Sequence, residues 1–572
     1  MSDSNVGSRT NKNIRNHIFV VGSIINEATK KKHNVDIEIL DYKQCFDSMW
    51  LNETVNDLFE NGLKNENLNF IYNLNKNNKV AVVTPFGLTD RVNIDNIVMQ
   101  GENLAPLECS VQVDSFGKEC LTNKKNLYLY RSNVEIPPLS MVDDLLCISE
   151  CGNKSIKMNA FINTKTNIKK LQFGESKCFR IHIGRNVDYC PDLFINKWKV
   201  KDLEMYKTNE ASVEDTIENN YQIESSNSQK YLGDYITNDG KNDITIEARV
   251  SKGYAIIQQI MTILEENNYG NHCFKAVKLF RESLFLNSIL LNIEAWSNVT
   301  FKNIDNLEKV DNILLRRAFG AVSTTPIVLL HLDLGTLLIK FITMIRRLMF
   351  LNYLLSQKET SMISKVLLPQ IRDPLKGDWW LQAKQDLQSL SLNYTLHEIK
   401  VMSKGAFKGV VKTAAENAAF KWLIERKQKL SKIKHIQFQN LSIQNYLVCD
   451  ELSLPDKMFL SAARGRMLNL RVNFRNKYVD TYCPLCAQQQ TQHQQQPPQQ
   501  SPQQSPQQTP QYFPDEQQHL FWCESLVEDH EVKDPTILYK HIFSPDINLQ
   551  VKSTMLLKHK YSKRRLLEDA DK

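Results

Sequence analysis

The sequence has no long hydrophobic run and no strong excess of charge of one sign, and each absence excludes a class of protein. Its most apolar region, 325–355, is broken by polar or charged side chains at His331, Asp333, Lys340, Arg346 and Arg347. No uninterrupted apolar stretch approaches the roughly 20 residues that span a bilayer. The opening segment, MSDSNVGSRTNKN, lacks the apolar core of a secretory signal. We therefore expect no membrane partner and an intracellular location, in the nucleus, the cytoplasm or both.

The composition is that of a folded protein with more than one domain. Hydrophobic residues make up 42% of the chain and charged residues 24%, and the net charge of +7 is small for 572 residues. This length is too great for a single core, so a small binding module is excluded. In an intracellular chain the 12 cysteines are more typical of thiols or metal ligands than of disulfides.

The basic residues are clustered in the second half of the chain. The segment 404–434 contains nine Lys or Arg against two acids, and 464–477 contains five basic residues and no acid. Clusters of this kind favour a nucleic-acid partner, although a solvated helix face explains any single stretch about as well. In the second cluster Arg464, Arg466 and Phe474 suit contact with an RNA backbone and stacking on its bases.

The pattern of apolar residues predicts two structural regions. Apolar spacing indicates a helix over 16–32, a strand over 36–41 and strand-like sequence over 136–148, so the first ~240 residues are predicted to be mixed α/β. Beyond Gly240 the spacing is helical, and one predicted helix ends at Gly320. The tract 487–511 holds 14 glutamines and five of the 18 prolines, which is typical of an unstructured insertion.

Three aspartates lie where strand-like segments end: Asp41, Asp143 and Asp144. Two adjacent carboxylates with apolar flanks raise each other's pKa, so a positive partner is expected nearby. Two Mg²⁺ ions held by such carboxylates are the usual apparatus for attack on a phosphate. The alternative is an ordinary hairpin turn, because aspartate is a common turn residue.

A second group of potential ligands lies near the end of the chain. Cys483 and Cys486 form one pair, His519 and Cys523 form another, and the interval between the pairs is mostly the glutamine-rich tract. Zn²⁺ takes four such ligands, and the cost of closing a flexible loop grows only slowly with its length. The alternative is that the three cysteines are reduced thiols and that neither they nor His519 bind a metal.

Five short segments resemble the catalytic motifs of reverse transcriptases, in the order that family has them. DYKQCFDS (41–48) resembles the first motif, in which an aromatic follows the aspartate by five positions. VMQGENLAP (98–106) is similar to the second, usually QGCPLSP, and MVDD (141–144) is similar to the third. LQFGESK (171–177) and YLG (231–233) resemble the fourth and fifth.

The likeness extends to the non-LTR (LINE-type) retrotransposon branch. NHIFV (16–20), the stretch 329–348 and the Cys-Cys-His-Cys group resemble segments of those proteins, so the resemblance covers about 10–525. It implies an α+β right-hand polymerase palm with partial fingers, a mostly helical thumb and connection, and a small zinc knuckle. Only 40 residues precede Asp41, so a truncated copy, or a gene model that begins partway through an element, is expected.

The resemblance also implies domain boundaries. They are a palm with partial fingers at 1–240, a helical thumb at 241–345, a basic helical connection at 346–480, an interrupted zinc knuckle at 481–525 and a C-terminal tail at 526–572.

Metal roles follow from the same likeness. Asp41 and Asp143 are expected to bind both Mg²⁺ ions, and Asp144 to help hold one of them. One zinc ion is expected at the knuckle, bound by Cys483, Cys486, His519 and Cys523.

Other residues acquire substrate roles by resemblance. Phe46 is expected beneath the sugar of the incoming nucleotide, and Gln100 and Gly101 along the nascent base pair. Lys177 is expected to protonate the leaving pyrophosphate. Three of them have a simpler alternative, namely a core aromatic for Phe46, a turn residue for Gly101 and a surface residue for Lys177.

The expected function is therefore RNA-directed DNA polymerisation, with an RNA template, a DNA primer or target and dNTPs as partners. The alternative is an inactive remnant that binds nucleic acid through its basic helices and knuckle.

Overall fold

The structure is a computed structural model in which the chain forms two compact units. It describes residues 2–7, 9, 12–94, 103–123, 127–169, 171–184, 190–196, 220–266, 273–468, 470, 483–486, 519–521, 523, 526, 535–544 and 546–570. The first unit comprises Met1–Glu247, Leu291–Asn303 and Thr343–Val411, and the second comprises Ala248–Leu290, Ile304–Ile342 and Lys412–Lys572. Both are discontinuous in sequence, whereas the predicted domains are consecutive segments, and those boundaries stay a prediction.

The strands belong to the first unit. They are β1 Val35–Asp41, β2 Asn78–Val80, β3 Val83–Thr84, β4 Gly87–Leu88, β5 Val92–Ile94, β6 Tyr128–Tyr130, β7 Val134–Ile136, β8 Leu139–Met141, β9 Asp144–Glu150, β10 Phe179–Ile183, β11 Phe194–Asn196, β12 Asn220–Gln222, β13 Glu224–Ser225, β14 Ser228–Tyr231 and β15 Asp234–Thr237. Five of them form one sheet in the order β13-β10-β1-β9-β8, with β1 at its centre. The other pairings are two-stranded: β2 with β5, β3 with β4, β6 with β7, β11 with β12 and β14 with β15.

The first unit also contains helices. The early ones are α1 Ile14–Lys31, α2 Cys45–Ser48, α3 Leu51–Glu60, α4 Asn65–Asn75, α5 Ala105–Asn123 and α6 Asn153–Ile168. Later come the 3-10 turns Glu175–Lys177 and Ile293–Ala295 and the helices Met362–Arg372, Trp379–Ser389 and Leu396–Val401. The helices Asp243–Glu266, Phe301–Ala318, Ile339–Ser356 and Lys404–Gln428 run from one unit into the other.

The predicted helix and strand near the start of the chain are confirmed as α1 and β1. Asn13 caps α1 by accepting a hydrogen bond from the Arg15 amide at 3.0 Å, and Lys32 ends it in the left-handed conformation at φ 58°. Six of the seven β1 residues are buried, because β1 is covered on both faces and paired on both edges.

Side chains of α5 and α6 cover one face of the sheet. Leu40, Leu145 and Cys147 point to that face and join one buried cluster with Phe116 of α5 and Ile162 of α6. Since side chains alternate along a strand, the residues beside Leu40 in the sequence point to the other face. Asp41 therefore lies on the face away from α5 and α6.

The strand-like segment 136–148 proves to be a hairpin. β8 and β9 are joined by Val142 and Asp143, and Val142 adopts a φ of 58°. A β-branched residue rarely takes this left-handed conformation, so the turn is held in place by its surroundings. The hairpin that the sequence offered as an alternative to a metal site is present, and it brings its aspartates to the end of β1.

The described secondary-structure elements of the second unit are all helices or helical turns, as predicted for the sequence beyond Gly240. Its helices, besides those shared with the first unit, are Cys273–Phe280, the π-turn Arg281–Phe285, Leu286–Ile289, Ile327–Leu334, Asn445–Val448, Leu454–Arg464, the 3-10 turn His519–Phe521, Pro535–His541 and Ile547–Ala570. The predicted helix ending near Gly320 is confirmed as Phe301–Ala318, with Leu307 and Leu314 fully buried and Gly320 at φ 57°.

One basic residue does not lie where the sequence suggested. Arg464 was expected to be available to RNA, but its guanidinium is buried and donates to Asp333 Oδ1 at 3.2 Å. Tyr446 donates to the other oxygen of Asp333 at 2.7 Å. The expectation was wrong because Arg464 neutralises a buried carboxylate, which sequence clustering does not reveal.

Among the described residues no single helix is long and apolar enough to cross a bilayer. The pair Ile327–Leu334 and Ile339–Ser356, bent by 54°, meets the same criterion of length and composition when its two helices are taken together.

Candidate active site

The register of the central sheet brings two predicted carboxylates side by side. β1 pairs with β9 in antiparallel fashion, and Asp41 lies directly opposite Asp144. Directly opposed residues have Cβ atoms about 4.5–5.5 Å apart. Asp143 occupies the hairpin turn immediately before Asp144. The structure therefore brings together the three aspartates that the sequence singled out, although a hundred residues separate the first from the other two.

The three carboxylates are electrostatically unfavourable as a group. Burial, followed by the charges of Asp143 and Asp41, raises the pKa of Asp144 to about 6. Burial, together with the charge of Asp41, also raises the pKa of Asp143. Oxygen ligands of this kind suit a hard divalent cation, and the raised pKa values show that added positive charge would stabilise the ionised group. The donor set thus fits Mg²⁺.

Lys177 supplies positive charge at the same place. Its Nζ lies 3.1 Å from Asp41 Oδ1, and its side chain is 62% exposed. The hydrogen bond to Asp41 raises the pKa of Lys177, so the ammonium is protonated at neutral pH. Lys177 therefore lies beside the aspartates, and its role as a proton donor stays a prediction.

The loop that carries Lys177 is bound to the end of β1 through the backbone. Gly174 donates to the Asp41 carbonyl at 2.8 Å, and Lys43 donates to the Gln172 carbonyl at 2.7 Å. Tyr42 stacks on Phe173 with ring centroids 4.6 Å apart. This stacking was not predicted, although each aromatic lies next to a motif residue. It holds together the first and fourth motif-like segments.

The predicted substrate residues are placed only in part. Phe46 lies in α2, is partly buried and packs against the cluster under the sheet. Gln100 and Gly101 lie outside the described residues. The roles of all three therefore stay predictions.

A contact between two other motif-like segments was also missed. His17 of α1 is buried, with Nδ1 2.9 Å from the Tyr231 hydroxyl and Nε2 2.8 Å from the Ser4 carbonyl. Burial lowers the pKa of His17 to about 4, so the ring is neutral. The segment 16–20 thus supports the fifth motif-like segment, 231–233. No spacing in the sequence could reveal this contact between residues far apart in the chain.

The predicted zinc ligands converge in the second unit. Cys486 Sγ lies 3.3 Å from His519 Nε2 and 3.6 Å from Cys523 Sγ, and the sulfurs of Cys483 and Cys523 are 3.9 Å apart. One ligand atom from each residue lies within 4.8 Å of all the others. The contacts with the neighbouring thiols raise the pKa of Cys486, since adjacent thiolates repel unless a cation lies between them. The donor set fits one tetrahedral zinc ion.

Comparison with known proteins finds similar chains among solved structures. No family model matches the chain, and no curated protein matches it. Among solved structures, a telomerase from Candida albicans in complex with a fragment of telomeric RNA shares 11% identity at a TM-score of 0.33, over 56% of this chain and 52% of that one.

Two telomerase structures from Candida tropicalis also match. The RNA complex shares 14% identity at a TM-score of 0.32, over 69% of this chain and 52% of that one. The apo structure shares 12% identity at a TM-score of 0.30, over 71% of this chain and 57% of that one. The chain therefore spans about half the length of the structures it matches.

Proposed function

We propose that this chain is an RNA-directed DNA polymerase that extends a DNA primer on an RNA template with dNTPs. The observation that carries the proposal is the sheet register that sets Asp41 opposite Asp144, with Asp143 in the adjoining turn. A two-metal nucleotidyl transfer needs carboxylates close enough to hold two ions about 3.5–4 Å apart, and this register brings such carboxylates together from two adjacent strands.

The described residues of the site have separate roles in the proposed reaction. Asp41, Asp143 and Asp144 hold two Mg²⁺ ions, which supply charge neutralisation at the reacting phosphate and a lower pKa for the primer hydroxyl. Lys177, protonated beside Asp41, donates a proton to the leaving pyrophosphate. Phe46, at the rim of the buried cluster, limits the space beneath the sugar of the incoming nucleotide.

A finer part of the proposal concerns the class of polymerase. We propose a non-LTR retrotransposon origin, with one zinc ion at Cys483, Cys486, His519 and Cys523. Support comes from the order of the motif-like segments and from the convergence of these four ligand atoms. The exposed lysines of the helix Lys404–Gln428 are the proposed contact with nucleic acid.

Primer extension tests the proposed activity. The full chain is supplied with an RNA template, a DNA primer, dNTPs and Mg²⁺, and is compared with Asp143→Asn and with the surface control Asp90→Asn. We expect extension by the wild type and by Asp90→Asn and none by Asp143→Asn. Equal extension by all three proteins would refute the role of the aspartates. Binding of the template without extension by any of them would favour the inactive nucleic-acid-binding remnant.

A further inference from the structure

A second set of metal-type ligands lies at the end of β1 far from the proposed catalytic aspartates. Asp36, Cys151, His182 and Cys190 each offer one ligand atom, and these atoms all lie within 4.8 Å of one another. His182 Nδ1 is 3.0 Å from Asp36 Oδ1 and 3.1 Å from Cys190 Sγ. Cys190 Sγ is 3.4 Å from Cys151 Sγ. The proposed polymerase chemistry does not use this group.

The sheet itself builds the group. Asp36 in β1 pairs directly with His182 in β10. Cys151 follows the last residue of β9, and its amide donates to the Asn34 carbonyl at 3.0 Å. The backbone positions of Asp36 and His182 are therefore fixed by strand pairing, and that of Cys151 by its hydrogen bond to Asn34. Cys190 is brought in next to Pro191, whose carbonyl accepts from Arg180 at 2.5 Å.

The contacts of His182 can be met by a proton or by a cation: an Nδ1 proton serves Asp36, and a cation would serve Asp36 and Cys190 at once. Its Nδ1 faces both a carboxylate oxygen and a sulfur, yet it carries at most one proton. If Nδ1 carries no proton, its lone pair faces the Asp36 carboxylate directly. A single cation at the centre of the group would accept electron pairs from the nitrogen, the oxygen and both sulfurs together.

The charges of the group also match a divalent ion. Two thiolates, one carboxylate and one divalent cation sum to a single negative charge. Arg180 supplies the compensating positive charge, since its Nη2 donates to Asp36 Oδ2 at 2.7 Å and its Nε donates to Oδ1 at 3.1 Å. The ion pair is buried, so this balance matters energetically.

The ligand types select zinc. Thiolate and imidazole ligands favour Zn²⁺ over Mg²⁺, which prefers six oxygen ligands. In a tetrahedral zinc site the ligand atoms lie about 3.3–3.8 Å apart, as follows from metal–ligand distances of about 2.0–2.3 Å. The observed separations of 3.0–3.4 Å are close to this range.

We infer that Asp36, Cys151, His182 and Cys190 bind a structural zinc ion that joins β9, β1 and β10. Asp36 precedes Asp41 by five residues along a strand, or about 16 Å, and the two side chains point to opposite faces of the sheet. The ion therefore takes no direct part at the proposed catalytic aspartates. It holds the three strands that position them.

Zinc content per chain tests the inference on the full-length protein purified under reducing conditions. We compare the wild type with Cys190→Ser, Cys483→Ser, the double variant and the matched control Cys449→Ser, whose thiol belongs to neither group. We expect two zinc ions in the wild type and the control, one in each single variant and none in the double variant.

The design separates this site from the proposed knuckle. One zinc in the wild type that is lost in Cys190→Ser but kept in Cys483→Ser would refute the knuckle and support the site in the sheet. Unchanged zinc content in Cys190→Ser would overturn the present inference. A disulfide between Cys151 and Cys190 in the wild type, seen by peptide mass mapping without reduction, would overturn it as well.

X-ray absorption at the zinc edge provides a measurement that does not depend on whether Cys190→Ser folds. In wild-type protein with both sites filled, zinc is expected to have 2.5 sulfur neighbours on average, because one site has three cysteines and the other has two. The Cys483→Ser protein is expected to show two sulfur and two nitrogen or oxygen neighbours. Three sulfur neighbours in Cys483→Ser would contradict the assignment.

Discussion

Replacing Asp144 with asparagine is expected to stabilise the metal-free protein while it abolishes polymerisation. The pKa of Asp144 is raised to about 6, chiefly by burial and then by the charges of Asp143 and Asp41. Each pKa unit corresponds to about 1.4 kcal/mol, and the site is partly open to solvent, so we expect a gain of about 1–2 kcal/mol at pH 8. The asparagine keeps the shape of the side chain and removes the repulsion.

The sign of the pH dependence follows from the raised pKa. Above pH 6 the wild-type carboxylate is ionised in the folded and unfolded states, and the full repulsion opposes folding. As the pH falls through 6 towards 3.8, the folded state takes up a proton first, so the difference between Asp144→Asn and wild type shrinks. Urea unfolding at pH 8 and pH 5 in the presence of EDTA measures this difference.

Two further measurements make the test specific. The exposed control Asp90→Asn is expected to change stability by less than about 0.5 kcal/mol. Mg²⁺ is expected to stabilise the wild type more than Asp144→Asn, because the variant has lost a ligand. A loss of stability in Asp144→Asn at pH 8 without metal would show that the three carboxylates do not repel one another, and the reasoning would fail.

The remaining predictions concern other parts of the molecule. Asp333→Asn leaves Arg464 buried without its carboxylate, so we expect the free energy of unfolding, measured in urea, to fall by about 3–5 kcal/mol. The salt dependence of RNA binding should not change, and a changed salt slope would show that Arg464 contacts RNA. Lys177→Arg keeps the charge but donates a proton poorly, so primer extension should slow about 100-fold with nucleotide affinity nearly unchanged. An unchanged rate of extension in Lys177→Arg would contradict proton donation by Lys177. His17 is neutral in the folded protein, so the free energy of unfolding should fall as the pH drops from 6.5 towards 4. His17→Gln should reduce that loss by up to about 3 kcal/mol. Identical pH profiles of stability for the wild type and His17→Gln would contradict this prediction.

Local patterns were sufficient to predict much of the fold. Apolar spacing located α1, β1 and the helix Phe301–Ala318 to within a few residues, because each buries one stripe or face against a core. The hairpin of β8 and β9 was less evident. The adjacent aspartates allowed a turn there, but the left-handed position of the turn is taken by Val142, a residue that disfavours this conformation.

The candidate sites differ in how visible they were. Asp143 and Asp144 stand out because adjacent acids between apolar residues are unusual, and Cys483 and Cys486 because of their spacing. The group around Asp36 gave no such signal, since Asp36 and His182 are far apart in the sequence and meet only through the pairing of β1 with β10. Arg464 was misjudged for a related reason, because its partner Asp333 lies 131 residues away.

Iron-directed cleavage tests the central claim, that Asp41, Asp143 and Asp144 bind divalent metal together, without relying on activity. Fe²⁺ replaces Mg²⁺, and ascorbate with peroxide then generates hydroxyl radicals that cut the backbone beside the bound ion. We predict cuts close to residue 41 and within 141–144, suppressed by excess Mg²⁺ and absent in Asp143→Asn. Cuts at only one of these two segments, or a pattern unchanged in Asp143→Asn, would contradict a shared metal site.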